Sequence, residues 1–433
     1  MIRIDEPTRL SRRKGISARS MGGMPWSILP AGAAPYAWDF LSDEARFAGA
    51  YRGALANTPG WSYTGTHSAG GLRYALNNAS NLISFTDGQL RRTDKGVLIE
   101  GARTNLCLQS QTFDDASWGK VNATVTANAV AAPDGTLTAD LFTTSSTTFT
   151  SLYQTVGAVT GTNCTATVYI KAGNIGSATS SFILYDTTGA VSIVNGTLTW
   201  ATMTITGTGT SIERLGSTNW YRVTLTTTAW TSGNSARVYL GASGGPMTAG
   251  SSWYIWGAQL EAAAFPSSYI PTTTASVTRA ADVLTVPVSG IDYPLSLFAE
   301  FEKSALVGAT AGILCVDSGS GSDEALLYSD SAERGHFFCE TVSSVQADIS
   351  ITGAVAANTV SRLAARIAAD SFSAAGGGSL GTPDVSGTVP GAPTRILFGQ
   401  RSGGASPFTG YLRRLAIFSR ALSDGELQAL TAA

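Results

Sequence analysis

Short segments of alternating apolar and polar residues recur along this chain, and they constrain its fold more than any other feature. Between about Leu106 and Thr273 the clearest are TATVYIKA, SSFILYD, WYRVTLTTT, ARVYLGA and SWYIWGAQL, each bounded by Gly, Asn, Ser or Asp. Period-two alternation places successive side chains on opposite faces of a strand. Several such strands at this spacing predict an antiparallel sandwich.

A second series of strand candidates runs from about Asp282 to the end of the sequence. It comprises LSLFAEFE, AGILCVD, EALLYS, HFFCETV, DISI, RLAARIAA, TRILFGQ and YLRRLAIF. Ser423, followed three residues later by Glu426, is a capping-box pattern that predicts a short amphipathic helix. The predicted fold class is therefore all-β, with two antiparallel β-sandwich (jelly-roll) domains at 106–273 and 274–433.

The first 105 residues show no sustained periodicity. Residues 1–35 are a basic arm, which either docks on an acidic partner surface or is a solvated tail. Residues 36–105 mix short apolar patches with turn signals, which predicts an irregular, strand-poor adaptor. The Pro- and Thr-rich segment 266–274 has the composition of a linker between the two sandwiches.

Charge and hydropathy exclude several classes of partner. The net charge of −2 produces no global field that would draw the chain to nucleic acid or to an anionic membrane. No apolar run approaches the roughly 20 residues that span a bilayer. The N-terminus has basic residues without the apolar core of a secretory signal. We expect neither nucleic-acid binding nor membrane insertion.

The cysteines and histidines predict no metal site and no cofactor. The four cysteines lack CxxC pairing, and there are only two histidines, which excludes a structural zinc site of the usual spacing. Cys315 and Cys339 fall on the outer strands of a candidate three-stranded meander, about 9–10 Å apart and beyond disulfide reach. We expect free thiols, as in a reducing cytosol.

A glycosidase needs two carboxylates flanking the scissile bond. Glu300 and Glu302 share one face of a strand, but the third acid of concanavalin-like enzymes is missing, so solvent-facing carboxylates on an edge strand are the expectation. The loop with Asp317, Asp323 and Glu324 offers oxygen ligands for Ca²⁺ without an EF-hand pattern, and an ordinary turn is favoured.

Nucleophilic catalysis finds no support either. His67 and His336 have no GxSxG context. His336 and Cys339, three residues apart in a strand, point to opposite faces. Gly376-Gly377-Gly378 lacks the GK[ST] of a phosphate loop and predicts a hairpin turn. No catalytic constellation remains.

Five strings in the sequence resemble one class of protein. They are GVLIEGARTNLCLQSQTFDDASW (96–118), AAPDGTLTADLF (131–142), NWYRVTLT (219–226), WGAQLEAAAFPSSYIPTT (256–273) and TRAADV (278–283). Together they resemble tailed-bacteriophage virion proteins, mostly tail-fibre-like, in which a carbohydrate-binding-module-like jelly roll follows a short N-terminal attachment region. A sixth string, FTGYLRRLAIFSRALSDGELQAL (408–430), resembles the last strand and helix of a concanavalin- or laminin-G-like sandwich.

The resemblance also implies a function. We expect a non-enzymatic virion structural protein, tail-fibre- or spike-like, made in the host cytoplasm and presenting lectin-like domains to host-surface glycans. Its N-terminal region would bind other virion proteins, and the chain would be a homotrimer. The alternatives are a head or tail decoration protein with a purely structural role and a polysaccharide depolymerase.

Alternation supplies the candidate glycan-binding side chains. Trp220 and Arg222 fall opposite the apolar face of their strand, as do Arg237 and Tyr239 of theirs. Tyr169 joins them if Val168 and Ile170 point inward. Aromatic and basic groups on an exposed sheet suit a glycan groove or a subunit interface equally well.

Trp253 and Trp256 pose a separate question. A strand that is apolar on both faces is usually buried between layers, so Trp256 is expected in the core. The alternative is that one of these tryptophans contacts glycan or a neighbouring subunit.

Overall fold

The computed structural model describes residues 36–41, 44–47, 50–53, 62–64, 71–147, 149–176, 178–242, 248–304, 308–404 and 406–432. The predicted all-β fold is confirmed: antiparallel strands form two sandwiches, with one short helix near the C-terminus. Residues 1–35, predicted to be the arm, lie outside the described residues. Within the described part, no helix has the length and apolar character to span a lipid bilayer.

Nine short strands precede residue 106 in the described ranges. They are β1 (Tyr36–Asp39), β2 (Glu44–Phe47), β3 (Ala50–Gly53), β4 (Ser62–Thr64), β5 (Leu72–Leu76), β6 (Leu82–Thr86), β7 (Arg92–Thr93), β8 (Gly96–Ile99) and β9 (Arg103–Asn105).

Twelve strands form the jelly roll. They are β10 (Gly119–Val121), β11 (Ala123–Val130), β12 (Ala139–Thr144), β13 (Ser151–Ala158), β14 (Cys164–Ala172), β15 (Thr179–Asp186), β16 (Val191–Thr199), β17 (Thr204–Thr206), β18 (Thr210–Arg214), β19 (Tyr221–Thr227), β20 (Ser235–Ala242) and β21 (Ser252–Glu261). Two six-stranded sheets result, which we name J1 (order β10-β13-β20-β15-β16-β17) and J2 (order β11-β12-β21-β14-β19-β18). The apolar faces predicted by alternation meet between J1 and J2, with Phe142, Leu184 and Trp253 in one buried cluster.

The remaining elements belong to the C-terminal sandwich or lead into it. They are β22 (Val277–Arg279), β23 (Val283–Pro287), β24 (Leu295–Lys303), β25 (Ala311–Asp317), β26 (Glu324–Ser329), β27 (Arg334–Thr341), β28 (Ser344–Ala354), β29 (Val360–Ala368), β30 (Ser371–Gly376), β31 (Ser379–Leu380), β32 (Arg395–Phe398), β33 (Gly410–Phe418) and α1 (Asp424–Thr431). A ten-stranded sheet, C1, contains β24, β29 and β33, and a seven-stranded sheet, C2, contains β23 and β25–β28.

The region 36–105 differs from the expectation of a separate, strand-poor adaptor. Strands β1 and β8 both pair with β33, and β4 pairs with β23, so these strands extend the sheets of the C-terminal sandwich, whereas β5 and β6 form a separate hairpin. Alternation does not predict these strands because each of the nine has only two to five residues, too few to show a period. They are too small to bury a core of their own.

The Pro- and Thr-rich segment is packed rather than a free linker. Tyr269 and Ile270 are buried. The Ile270 amide donates to Gln259 Oε1 at 2.7 Å, and the Ser267 amide donates to a Glu261 carboxylate oxygen at 2.9 Å. The outward side chains of the GAQLE strand therefore hold the SSYIPT segment against J2.

A bulge at Gly257 resets the alternation of β21. The β14–β21 register shifts between Thr167 and Tyr169, and Gly257 has φ 64°. Because of the bulge, Ala258 and Leu260 face the J1–J2 core as Trp253 does, whereas Trp256, on the opposite face of the strand, lies in the cluster outside J2. Glycine adopts this left-handed conformation without steric cost. The prediction that Trp256 is a core residue is confirmed, since both tryptophans have no exposed surface.

The C-terminal helix forms as predicted. Ser423 Oγ accepts from the Glu426 amide, and the Glu426 carboxylate accepts from the Ser423 amide at 2.7 Å, which completes the capping box. Leu427 and Leu430 pack with Phe298 on the outer face of C1. Gly376 ends β30 and pairs with Ser379 of β31, and Gly377 and Gly378 form the turn between them, so the predicted hairpin turn is also confirmed.

Candidate functional site

The two outer faces of the jelly roll differ in what covers them. The hairpin β5–β6 and the segment 266–273 lie across J2, where the Tyr74 ring is 5.5 Å from Tyr269 and 6.1 Å from Trp256 between centroids. No buried apolar cluster of the described residues extends onto the outer face of J1. Of the two, the outer face of J1 is the one without such a cover among the described residues.

The expectation that Trp220 and Tyr169 lie exposed is wrong. They are 3% and 2% exposed, and both belong to the cluster between J2 and the hairpin. The Trp220 indole donates to the Ala131 carbonyl at 3.2 Å. Alternation identified the face that points away from the sandwich core, but it carries no information on the segments that cover that face.

Arg222 lies where J2 meets the segment 266–273. Its guanidinium lies 5.6 Å from the Tyr169 ring centroid, and Nη2 donates to the Ser267 carbonyl at 2.7 Å. It lines two cavities of about 450 and 460 Å³ that share Glu213, Arg222 and Pro266. Arg222 is therefore largely occupied in joining J2 to the segment 266–273.

Arg237 and Tyr239 lie on the other sheet. The strand β19 that carries Arg222 belongs to J2, whereas β20 belongs to J1. The sequence-predicted residues therefore do not form one surface, because the two alternating strands lie on opposite sides of the sandwich. This separation corrects the expectation of a single shared face.

Three tyrosines and one arginine meet on the outer face of J1. The Tyr239 ring is 5.6 Å from Tyr153 and 6.2 Å from Tyr185, between centroids. The Arg237 guanidinium carbon is 4.7 Å from the Tyr153 centroid and 5.7 Å from the Tyr239 centroid. All four side chains are half-buried. We call Tyr153, Tyr185, Tyr239 and Arg237 the tyrosine face.

The register of J1 explains this grouping. Tyr153 on β13 is directly opposite Tyr239 on β20, and Arg237 is opposite Tyr185 on β15. Directly paired residues have Cβ atoms about 4.5–5.5 Å apart, so their rings pack against each other. Three adjacent strands thus build one continuous aromatic surface.

Arg237 is held in place by neutral groups. Its Nε donates to Thr155 Oγ1 at 2.7 Å, and Nη1 donates to the Tyr239 hydroxyl at 3.0 Å. Its Nη2 has no hydrogen-bond partner among the described residues, and none of their carboxylates forms an ion pair with it. The face therefore carries a positive charge that the described part of the protein does not neutralise.

Gly119 sets the position of Tyr153 at the edge of J1. These two residues are directly paired, and a Cβ added at Gly119 would lie 2.3 Å from Cζ of the tyrosine ring. The ring therefore lies across the glycine. A side chain at position 119 would push the ring away.

Sequence reasoning missed Tyr153 and Tyr185. The segment SSFILYD did contain a usable signal, since Phe182 and Leu184 alternate with Tyr185 and point inward. Tyr153 alternates in the same way with Leu152. What the sequence could not supply was the cross-strand register that brings these tyrosines to Arg237.

The carboxylates considered for catalysis are held by arginines. Glu300 lies on β24, which is flanked by β29 and β33, so the expectation of an edge strand is wrong. It is 1% exposed and pairs with Arg362 at 2.9 Å and Arg413 at 3.1 Å. Glu302 pairs with Lys95 at 3.0 Å. These contacts account for both carboxylates as structural groups.

Carboxylates of the acidic loop are also paired with arginines of the same sandwich. Asp317 accepts from Arg395 at 2.7 Å, and Glu324 forms an ion pair with Arg401. In the ranges that the structure describes, no three or more His, Cys, Asp or Glu side chains are placed to hold a metal ion.

The thiols and histidines are separated. All four cysteines are buried and free, which confirms the prediction, and burial raises the pKa of Cys164 to about 12. Cys339 faces the C1–C2 core, whereas His336 on the opposite face contacts Asp330 at 3.1 Å and Asp348 at 3.3 Å. His67 lies outside the described residues.

The strings that carried the sequence resemblance contribute to a buried ion network. Arg91 pairs with Glu100 at 2.6 Å and also with Asp282, and Arg279 pairs with Glu100 at 2.8 Å. Arg73 pairs with Asp282 at 2.9 Å. All five side chains are at most 4% exposed. The network ties the first strands, the jelly roll exit and the C-terminal sandwich together.

The pKa of Glu100 in this network is strongly lowered. Burial alone would raise the pKa of Glu100, but the Arg279 and Arg91 charges and the Ser268 donors outweigh it and hold that pKa well below its usual range. Ser268 donates to Glu100 from its amide at 2.8 Å and its hydroxyl at 2.6 Å. These residues are structural, because the network is closed to solvent.

Comparisons with known proteins found only distant structural likenesses. No protein-family model and no curated protein matches the chain. The CBM40 of the Ruminococcus gnavus IT-sialidase, bound to α2,3-sialyllactose, aligns with a TM-score of 0.29 and 18% identity, over 34% of this chain and 96% of that one.

Two further solved structures are similarly distant from this chain. The SAP-like pentraxin of Limulus polyphemus gives a TM-score of 0.27 at 12% identity, over 34% of this chain and 72% of that one. The Trypanosoma rangeli sialidase gives 0.28 at 16%, over 34% of this chain and 25% of that one. Likenesses this distant bear on neither the activity nor the ligand of the present chain.

Proposed function

We propose that this protein is a non-enzymatic, tail-fibre- or spike-like virion protein that binds a host-surface glycan through the tyrosine face. The observation that carries the binding site is the group of half-buried, outward-facing side chains Tyr153, Tyr185, Tyr239 and Arg237 on J1. The virion assignment rests on the sequence strings that resemble phage proteins, and it is independent of the site.

The chemistry of the face suits saccharides. A sugar ring presents C–H groups to an aromatic ring and hydroxyls to polar groups, and tyrosine offers both an apolar face and a polar tip. The hydroxyls of Tyr153 and Tyr185 have no hydrogen-bond partner among the described residues. The rings contact one another, so little side-chain freedom is lost when a ligand stacks on them.

Binding would be weak at a single site. Stacking on one aromatic ring is worth about 1–3 kcal/mol, by analogy with bases on aromatic side chains. Linked copies raise overall affinity by about 10²–10⁴, which gives the proposed homotrimer a physical rationale. Light scattering of the purified chain tests that state, and a monomer of 44.7 kDa would contradict it.

Substitution of the central ring tests the site. Tyr239→Ala should weaken saccharide binding about tenfold or more, and Gly119→Ala should weaken it by displacing Tyr153. Tyr328→Ala is the matched control, since Tyr328 is a half-buried tyrosine on the outer face of C2. A glycan array followed by titration of the best ligand measures the effect.

The outcomes separate the rival functions. Unchanged binding in both J1 variants would refute the site. A loss of particle assembly in Tyr239→Ala, without loss of saccharide binding, would mean that the face is a subunit interface of a decoration protein. Release of reducing ends from the bound polysaccharide would refute the non-enzymatic assignment.

Attachment is proposed for residues 1–35, which carry six basic residues. Deletion of 1–35 should leave a soluble, β-rich protein that no longer joins particles. Normal incorporation of the truncated chain would refute this assignment.

A further inference from the structure

We infer that the tyrosine face selects an acidic saccharide, one whose sugar carries a carboxylate, sulfate or phosphate, over a neutral one. This inference rests on the proposed function of the face and adds the charge of its ligand. Its basis is the environment of Arg237, which differs from that of most buried or half-buried arginines in this chain.

Several other arginines near the cores are neutralised. Arg91, Arg279 and Arg362 pair with carboxylates at 2.6–2.9 Å, as does Arg395. Arg237 is surrounded by Thr155 and the rings of Tyr153 and Tyr239, and no carboxylate of the described residues comes within 4.0 Å of its nitrogens. Burial of an unpaired charge is costly, and an incoming anion relieves that cost.

The guanidinium also keeps donors free for an anion. Of its five N–H groups, Nε donates to Thr155 and one Nη1 hydrogen is used by the Tyr239 hydroxyl. The remaining donors on Nη1 and Nη2 are left for the ligand. Two N–H groups of one guanidinium bind a carboxylate or sulfate in a bidentate manner, which favours these groups over a hydroxyl.

The aromatic surroundings strengthen this preference. The guanidinium lies over two tyrosine rings, which fix its plane and limit the water around it. An ion pair formed at a half-buried position is screened less than one on an open surface. A sugar stacked on Tyr153 or Tyr185 would bring its acidic substituent to Arg237, since all these groups belong to one surface.

Matched polymers test the charge of the ligand with the full chain. Polygalacturonate and its fully methyl-esterified form differ only in the free carboxylate, and dextran sulfate and dextran differ only in the sulfate. Wild-type protein should bind an acidic member at least about tenfold more tightly than its neutral counterpart, and the difference should shrink as salt increases. Binding of only one acidic polymer would identify which anion fits the site.

Arg237 variants connect the preference to the residue. Arg237→Met should lower the ratio of acidic-polymer to neutral-polymer affinity to about one, and Arg237→Lys should retain part of that ratio. Arg214→Met is the matched control, because Arg214 is an exposed arginine without a carboxylate partner in the described part, on J2. It should change nothing.

Three results are decisive. Equal affinity for acidic and neutral members would overturn the inference and leave the proposed glycan binding intact. A preference that persists in Arg237→Met would also overturn it, because the charge would lie elsewhere. If no polymer and no arrayed glycan binds at all, the proposed function itself fails.

Discussion

The buried ion network provides the sharpest energetic prediction. Replacing Glu100 by Gln removes the charge that neutralises Arg91 and Arg279 but preserves the size of the side chain. The carboxylate accepts three hydrogen bonds, one from Arg91 at 2.6 Å and two from Ser268, and it forms an ion pair with Arg279 at 2.8 Å. An amide carries no charge to balance the arginines, and its own N–H₂ would face the guanidiniums.

The loss of unfolding free energy expected for Glu100→Gln follows from the burial of Glu100. Removing one partner of a buried pair leaves an uncompensated charge and costs about 3–5 kcal/mol. The matched control is Arg334→Gln, which breaks a pair of equally short distance (2.6 Å) at an arginine side chain that is 54% exposed. A surface pair contributes about 0–1 kcal/mol. The contrast between the two variants isolates burial as the cause.

Urea unfolding measures both free energies under identical conditions. Glu100→Gln should lower the free energy of unfolding by several times the change in Arg334→Gln. If both variants lose about 1 kcal/mol or less, the buried ion network does not stabilise the contact between the first strands, the jelly roll exit and the C-terminal sandwich.

Three further predictions concern the same framework. Because the folded-state pKa of Glu100 is lowered, the stability that its charge contributes is present above the unfolded pKa of about 4.3 and is lost as pH falls below that value. The free energy of unfolding of the wild type, measured in urea, should therefore drop more steeply between about pH 5 and pH 3 than that of Glu100→Gln. Parallel plots of unfolding free energy against pH would contradict this. Gly257→Ala should cost about 1–3 kcal/mol, since it places a Cβ at φ 64° and 2.9 Å from the Tyr169 ring; an unchanged urea midpoint would refute the bulge argument. Thiol titration should count four free cysteines in denaturant and almost none in the native protein, because all are buried; two or fewer in denaturant would reveal disulfides.

The sandwich strands could be predicted because their signal is local. In WYRVTLT and ARVYLG the inward positions Val223, Leu225, Val238 and Leu240 are all buried as expected. The capping box at Ser423 is equally local, since both partners lie within one turn. Propensity and alternation act over a few residues, and a single sequence contains them in full.

The candidate site could be predicted only in part, because it depends on the register between strands and on which segments cover each sheet. Arg237 and Tyr239 point outward from the sandwich core as predicted, although they are half-buried, yet their neighbour Tyr153 is reached only through the β13–β20 pairing. Trp220 has the same local pattern and is buried, because the hairpin β5–β6 covers it. Both effects come from residues distant in sequence.

The most direct test of the proposed function is a crystal structure of the full chain soaked with the oligosaccharide that it binds most tightly. The account predicts a sugar ring stacked on Tyr153, Tyr185 or Tyr239, with an acidic substituent within hydrogen-bond distance of Arg237. A saccharide seated in the junction cavities beside Glu213 and Arg222, with the tyrosine face empty, would contradict it.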